Sequence, residues 1–210
     1  MTHKRIDFRL YLITDRKMLA SHDALPAAVE ESLKGGARAV QLREKDVGTR
    51  ELLGMAYSLR EITKRYKTRL FINGRVDIAM AVGADGVHLG VSDIPVHAAR
   101  KAAGNDMLIG ASAHSEGEAK RAEQEGADFV TLGPIYETSS KLQYGKPVGV
   151  QTFERVREEV SIPVFAIGGI NREGVGEVLK AGAYGVALIS AILASENIKS
   201  STEEFMRLLK

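Results

Sequence analysis

GGARAVQLR at 35–43, GADGVHLG at 83–90, GADFVTLG at 126–133 and GAYGVALIS at 182–190 are recurrences of one phrase. Each reads the same way. A glycine stops a preceding amphipathic helix in the left-handed conformation that it adopts cheaply. A short turn follows, and a β-branched or leucine-rich run then starts a buried strand. The phrase is a helix-to-strand junction.

Further strand candidates lie between the phrases, at Leu10–Thr14, Leu70–Asn73, Leu108–Ala111 and Pro163–Ile167. The intervening apolar spacing predicts helices near 24–34, 49–65, 75–82, 95–103, 115–125, 150–160, 172–181 and 202–209. The polar run Ser195–Thr202 then only precedes the last helix. Strand and helix alternate through eight units, and near-continuous apolar strands imply a parallel sheet. Eight such units close into a compact TIM (β/α)8 barrel, a single domain over residues 1–210. An open doubly wound sheet also alternates, but it would carry a glycine-rich fingerprint after its first strand. LYLITDRKML, at 10–19, has no glycine.

Composition narrows the function. With 44% apolar residues in 210, the chain can fill a barrel and its helical coat. The absence of cysteine removes disulfides and thiolate chemistry, so any metal must be held by oxygen or histidine. The formal charge is +2, there is no dense basic block and no Trp, which argues against a nucleic-acid partner. No apolar run reaches the ~18 residues of a membrane span, and MTHKRIDFRLYLITD (1–15) has no signal-peptide core, so a cytoplasmic protein with no membrane partner is expected. The slight positive balance is compatible with phosphorylated small molecules, but with any other ligand class almost as well.

Barrel chemistry belongs at the C-terminal strand ends, and here those ends are polar. Alternation along the second strand sends Gln41, Arg43 and Lys45 to one side, towards the mouth. Arg43 and Lys45 can grip a phosphate or diphosphate, or belong to an ion network with Glu44 and Asp46; spacing leaves both open. The loop ETSSKLQYGKPVG (137–149) joins three hydroxyls to Lys141, which suits diphosphate oxygens or an ordinary solvated loop. Gly168-Gly169 and Ile189-Ser190 end the seventh and eighth strands, where barrels often bind phosphate. Asp93 is either a magnesium ligand or, just before Ile94-Pro95, a helix cap. His88 reads as an inward core histidine, and His114 as a candidate acid or base.

The motifs QLREK, NGRVDIAMAVGADGVHLG, GASAH, GADFVTLGPIYETSSK, AIGGI and ALIS occur in that order along the chain. In this set the sequence resembles the thiamine phosphate synthase and thiazole tautomerase family over essentially its whole length. The resemblance implies a compact (β/α) barrel, possible pairing as a homodimer, and a magnesium-dependent condensation. In it, a pyrimidine methyl diphosphate joins a thiazole phosphate, giving thiamine phosphate and pyrophosphate. It assigns Gln41, Leu42, Arg43, Glu44, Lys45, Asn73, Ser112 and Lys141 to the diphosphate substrate. Thr138, Ser139, Ser140, Gly169, Ile189 and Ser190 go to the thiazole phosphate, and Asp93 to Mg2+. Lys141, Arg43 and His114 are the candidate catalytic groups.

One position departs from the synthase pattern. There the strand-three asparagine is followed by an aspartate that supplies a second magnesium ligand, whereas Asn73 is followed by Gly74. Asn-Gly-Arg occurs in the tautomerase branch, which moves a proton on a carboxythiazole phosphate without metal. Lys45 and the Thr-Ser-Ser-Lys loop keep the synthase's diphosphate pattern and favour that branch. A non-catalytic phosphate-binding barrel is the remaining alternative.

Overall fold

The computed structural model describes residues 6–137 and 147–210. The four glycines of the repeated phrase close helices as expected: Gly36, Gly83, Gly126 and Gly182 have φ of 103°, 60°, 96° and 109°. At the second of them Gly83 N donates to Met80 O and Ala84 N to Ala79 O, the paired bonds of a Schellman cap, and the other three glycines repeat that pattern. The same pair of bonds recurs where the sequence offers no glycine, with Lys67 N donating to Lys64 O and Thr68 N to Thr63 O. Lys67 there sits at φ 52°.

The strands are β1 Leu10–Ile13, β2 Ala39–Leu42, β3 Arg69–Asn73, β4 Gly86–Leu89, β5 Leu108–Ala113, β6 Phe129–Leu132, β7 Val164–Ile167 and β8 Gly185–Leu188. Each pairs in parallel with the next and β8 returns to β1, a closed barrel. The helices are α1 Leu25–Lys34, α2 Thr49–Arg65, α3 Val76–Ala81, α4 Val96–Ala103, α5 Glu116–Gln124, α6 Gln151–Glu159, α7 Arg172–Lys180, the single turn α8 Ser190–Leu193, and α9 Ile198–Leu208. α9 begins four residues earlier than the periodicity places it, because Asn197 caps it by accepting from Ser200 N. The polar residues of that run are its first turn.

Two apolar layers result from strand alternation. Outward residues such as Val40, Leu42, Ile72, Val87 and Val130 pack against the helices. Inward, Phe8, Tyr11, Phe71, Phe129 and Phe165 plug the barrel with rings 5.2–6.2 Å apart. Space for the rings comes from glycine: a Cβ on Gly110 would lie 2.4 Å from Phe129 Cζ, and one on Gly86 the same distance from Phe71 Cε1.

Aspartates within two of the repeated phrases tie helix to sheet at the N-terminal face. Asp85 Oδ2 accepts from Leu70 N at 2.9 Å and from Arg60 of α2 at 2.6 Å. Two strands on, Asp128 Oδ2 accepts from Ile109 N at 2.7 Å and from Arg100 of α4 at 2.6 Å. These braces secure the face opposite the strand C-termini. No helix among the described residues is long and apolar enough to cross a membrane.

Candidate active site

Since every strand runs the same way, all eight C-terminal ends open on one rim. The aromatic plug stops short of that rim, and polar side chains floor the mouth above it. Gln41 is buried and donates through Nε2 to Tyr11 Oη at 3.1 Å. Burial, opposed by the Gln41 bond, pushes the Tyr11 phenol well above its usual range, so it stays protonated. Next to Gln41's strand, Asn73 pairs in register with His88. His88 Nε2 lies 3.1 Å from Ser112 Oγ and 3.3 Å from Thr131 Oγ1. His88 is thus the hydrogen-bonded inward histidine expected, and Asn73 and Ser112 are half-buried beside it.

The QLREK segment divides differently from a simple alternation. β2 ends at Leu42, so the period-two rule covers Gln41 and lapses beyond it. Leu42 points outward into the helical layer, which leaves only its backbone near the mouth. Glu44 is buried and faces the chain, not the mouth: it accepts from Thr14 Oγ1 at 2.7 Å and from Arg16 N and Nη1 at 3.2 and 3.3 Å. Thr14 Oγ1 in turn accepts from Arg43 N at 2.9 Å. The ion network that spacing allowed does exist, but its cation is Arg16. Asp46 pairs with it at 2.6 Å and with Lys17 at 3.0 Å. These bonds, Arg16 first, hold the Asp46 carboxyl down at about 2. Arg43, half-buried, and Lys45, exposed, make no ion pair among the described residues.

Asp93 is not the cap of α4. That helix starts at Val96 behind Pro95 without a side-chain cap, and Val96 N donates to Glu125 Oε2 instead. Asp93 Oδ2 accepts from Gly90 N at 2.6 Å, folding its carboxylate back across the β4 end. There it meets Gly74: a Cβ on that glycine would stand 3.0 Å from both carboxylate oxygens. The two positions that the metal expectation links are therefore neighbours. Among the described residues no group of three or more His, Asp or Glu side chains is placed to hold a metal.

His114, just past β5, is engaged with α5. Its amide donates to Glu118 Oε2 at 2.7 Å and its Nδ1 lies 3.2 Å from the same oxygen, while Ser115 caps the helix by accepting from Glu118 N. Gly168 and Gly169, at φ 96° and 70°, make close passage possible: Cβ atoms there would lie 2.7 Å from Pro134 and from Tyr136 Cβ. Gly169 and Ser190 are exposed on the rim and Ile189 is half-buried between the two apolar layers. Tyr136 escaped the sequence reading. Its hydroxyl donates to Glu177 of α7 at 2.6 Å, and burial together with that bond pushes its phenol up to about 12. It anchors the base of the β6 loop. Thr138, Ser139, Ser140 and Lys141 lie outside the described residues.

This geometry meets its relatives along the whole chain. The family model described as thiamine monophosphate synthase matches residues 10–192. The chain belongs to the thiamine monophosphate synthase family. It is 50% identical over 205 residues to a putative thiamine-phosphate synthase of Geobacter sulfurreducens, covering 98% of this chain and 96% of that one. It is 44% identical to the thiamine-phosphate synthase of Clostridium novyi, covering 94% and 97%. Its fold superimposes on thiamine phosphate pyrophosphorylase from Pyrococcus furiosus with a TM-score of 0.88 at 40% identity, over 96% and 95% of the two chains. In this family member the QLREK segment thus divides its work: Gln41 belongs to the barrel floor, and Glu44 is an internal strut that bears on the Arg43 backbone through Thr14.

Proposed function

We propose that the protein is a transferase that joins a pyrimidine methyl diphosphate to a thiazole phosphate, producing thiamine phosphate and pyrophosphate. One observation carries this reading beyond family membership: Arg43 and Lys45 stand at the rim without carboxylate partners among the described residues, while Glu44 and Asp46 between and beside them are committed to Arg16. Two unneutralised cations beside a polar floor suit a diphosphate.

The reaction breaks the carbon–oxygen bond to the diphosphate, and the thiazole nitrogen forms the new bond to the pyrimidine methyl carbon. The protein's work is positional and electrostatic. Arg43 and Lys45, with Lys141 from the β6 loop, hold the departing oxygens as negative charge grows on them. Gln41, Asn73 and Ser112 hold the pyrimidine end above the aromatic plug. Gly169, Ile189, Ser190 and the hydroxyls of Thr138, Ser139 and Ser140 hold the thiazole phosphate. His114, oriented by Glu118, is the candidate acid or base on the β5 side of the rim.

Asp93 is the residue that would hold Mg2+. A single carboxylate fits an ion that takes one or two protein oxygens and completes its shell with substrate phosphate and water. Bound there, the ion would neutralise diphosphate charge.

The test is incubation with both phosphorylated precursors and magnesium, following thiamine phosphate and pyrophosphate. Lys141→Ala should depress the diphosphate step far more than binding of the thiazole phosphate. Isomerisation of a carboxythiazole phosphate without condensation would refute the proposal.

A further inference from the structure

The two braces at the N-terminal face are chemically alike but unequally filled. Arg100 spends its guanidinium on Asp128 and on the carbonyls of Gly104, Met107 and Gly126, at 2.6–3.3 Å. Arg60, its counterpart, reaches only Asp85 among the described residues, where its Nε is buried without a hydrogen-bond partner. A buried donor left unmade is costly, and a turn of the guanidinium towards the cleft would offer it to an acceptor from outside.

An opening for such an acceptor lies beside it. A cleft of about 500 Å³ gathers Arg38, Arg60, Lys64, Lys67 and Arg69 between the start of β2, the end of α2 and the start of β3. Its acidic members are Asp7 and Asp85. Asp7 pairs with Arg69 at 2.7 Å and lies within reach of the Arg38 charge, and Asp85 pairs with Arg60, so two carboxylates stand against five cations. Arg38 and Lys67 are exposed and make no ion pair among the described residues, and Lys64 reaches Glu61 only at 3.8 Å.

Lys67 adds an independent sign. It occupies the left-handed cap position that glycine fills at the four other helix-to-strand junctions described above. A lysine there costs conformational energy that glycine would not. Strained backbone of this kind concentrates at functional sites, and here the strained residue brings a cation to the cleft.

We propose that this cleft binds a phosphoryl oxyanion, the phosphate or diphosphate group of a small molecule, as a second site on the face opposite the mouth. The oxyanion accepts from the guanidinium groups of Arg38 and Arg60 and from the Lys67 ammonium. Guanidinium forks match phosphate geometry, and lysine adds a point charge. The site is independent of turnover, since its residues lie at strand starts and the substrates enter at strand ends.

Calorimetric titration with inorganic pyrophosphate, orthophosphate and glycerol phosphate tests this on the whole protein, comparing wild type with the Arg38→Glu/Lys67→Gly double variant. Lys67→Gly removes charge while relieving the backbone, so the fold survives and the single variant should melt higher than wild type. The expected result is one fewer anion bound per chain in the double variant, or that anion bound at least roughly tenfold more weakly. Its kcat/KM should stay unchanged. A preference for the monoester would mark an ester as the ligand, and a preference for either free anion would mark the inorganic ion. Equal stoichiometry and affinity in the two proteins would overturn the proposal. So would loss of all anion binding in Arg43→Ala, which would place it entirely at the mouth.

Discussion

Thr14→Val removes one hydroxyl and leaves the side-chain shape almost intact, which makes it the sharpest probe of how the mouth is held. Thr14 is fully buried, donates to Glu44 at 2.7 Å and accepts from Arg43 N at 2.9 Å. A hydrogen bond to a buried carboxylate contributes about 1.5–3 kcal/mol, and the bond from the half-buried Arg43 amide about 0.5–1 kcal/mol. The expected loss is about 2–3 kcal/mol, because Arg16 N and Nη1 still satisfy part of the carboxylate. At about 2–4 °C per kcal/mol for a chain of this size, the melting temperature falls by roughly 8 °C. Thr14→Ser keeps the hydroxyl and loses only a methyl, about 1 kcal/mol. Scanning calorimetry on both variants gives the comparison. Steady-state kinetics supply a second readout, because freeing the Arg43 backbone should raise KM for the diphosphate substrate about fivefold, as ~1 kcal/mol of lost orientation implies. KM for the thiazole phosphate should stay within about twofold of wild type. If Thr14→Val is no less stable than Thr14→Ser, or if both KM values rise together, the strut does not position Arg43.

Gly110→Ala forces a Cβ to 2.4 Å from Phe129 and 2.6 Å from His88 Nδ1, so it should destabilise by at least about 2–3 kcal/mol in urea unfolding. Gly74→Asp sets a second carboxylate against Asp93 at a position with φ 67°. Like charges so close repel, so this variant should melt lower than wild type without magnesium, recover with it, and show a raised apparent magnesium affinity in activity titrations; unchanged magnesium dependence, shared by Asp93→Ala, would remove Asp93 as a ligand. For Asp46 the sign follows from its lowered pKa, from 3.8 to about 2. Its link to Arg16 stabilises fully above pH about 4 and is lost as pH falls through about 2. Carboxyl-carbon NMR should therefore find Asp46 ionised at pH 3, and a midpoint near 4 would show the link absent in solution.

How far the sequence discloses this molecule depends on whether a physical requirement leaves a distinct residue behind. Left-handed helix caps demand glycine at most sites, so four junctions announce themselves and the barrel count follows. The fifth, at Lys67, satisfies the same backbone bonds with a lysine and was found only as an interval between phrases. The start of α9 was hidden because a polar first turn looks like a loop, although Asn197 is a proper cap. At the site, Gln41, Asn73, Ser112 and His88 were readable because they lie on strands, where alternation fixes direction. Glu44 was not, since β2 stops two residues before it and the rule no longer applies. For Asp93 the proximity to Pro95 offers a cap beside the magnesium-ligand reading, but a carboxylate three residues past a strand end can also turn back onto that strand, and the Gly90 amide captures it.

The chemistry of the two barrel faces differs through pairing and not through composition. Both carry arginines close to aspartates or glutamates, and no count of charge along the chain separates them. On the N-terminal face Asp85 and Asp128 each serve a strand amide and an arginine at once, so both carboxyl groups are consumed in joining helix to sheet. At the mouth, Glu44 and Asp46 serve Arg16, an arginine from a neighbouring strand end, and this commitment releases Arg43 and Lys45 from the carboxylates that flank them in sequence. A cation next to an acid in sequence is neutral in effect only if the acid is free to reach it. Here the fold buries Glu44 and turns the exposed Asp46 onto Arg16 and Lys17, so that neither acid is spent on Arg43 or Lys45. Arg16 is therefore as necessary to the proposed diphosphate site as the residues that touch the substrate: removing it would free Glu44 and Asp46 to quench Arg43 and Lys45. Arg16→Met should accordingly weaken diphosphate binding even though its own side chain is buried away from the ligand.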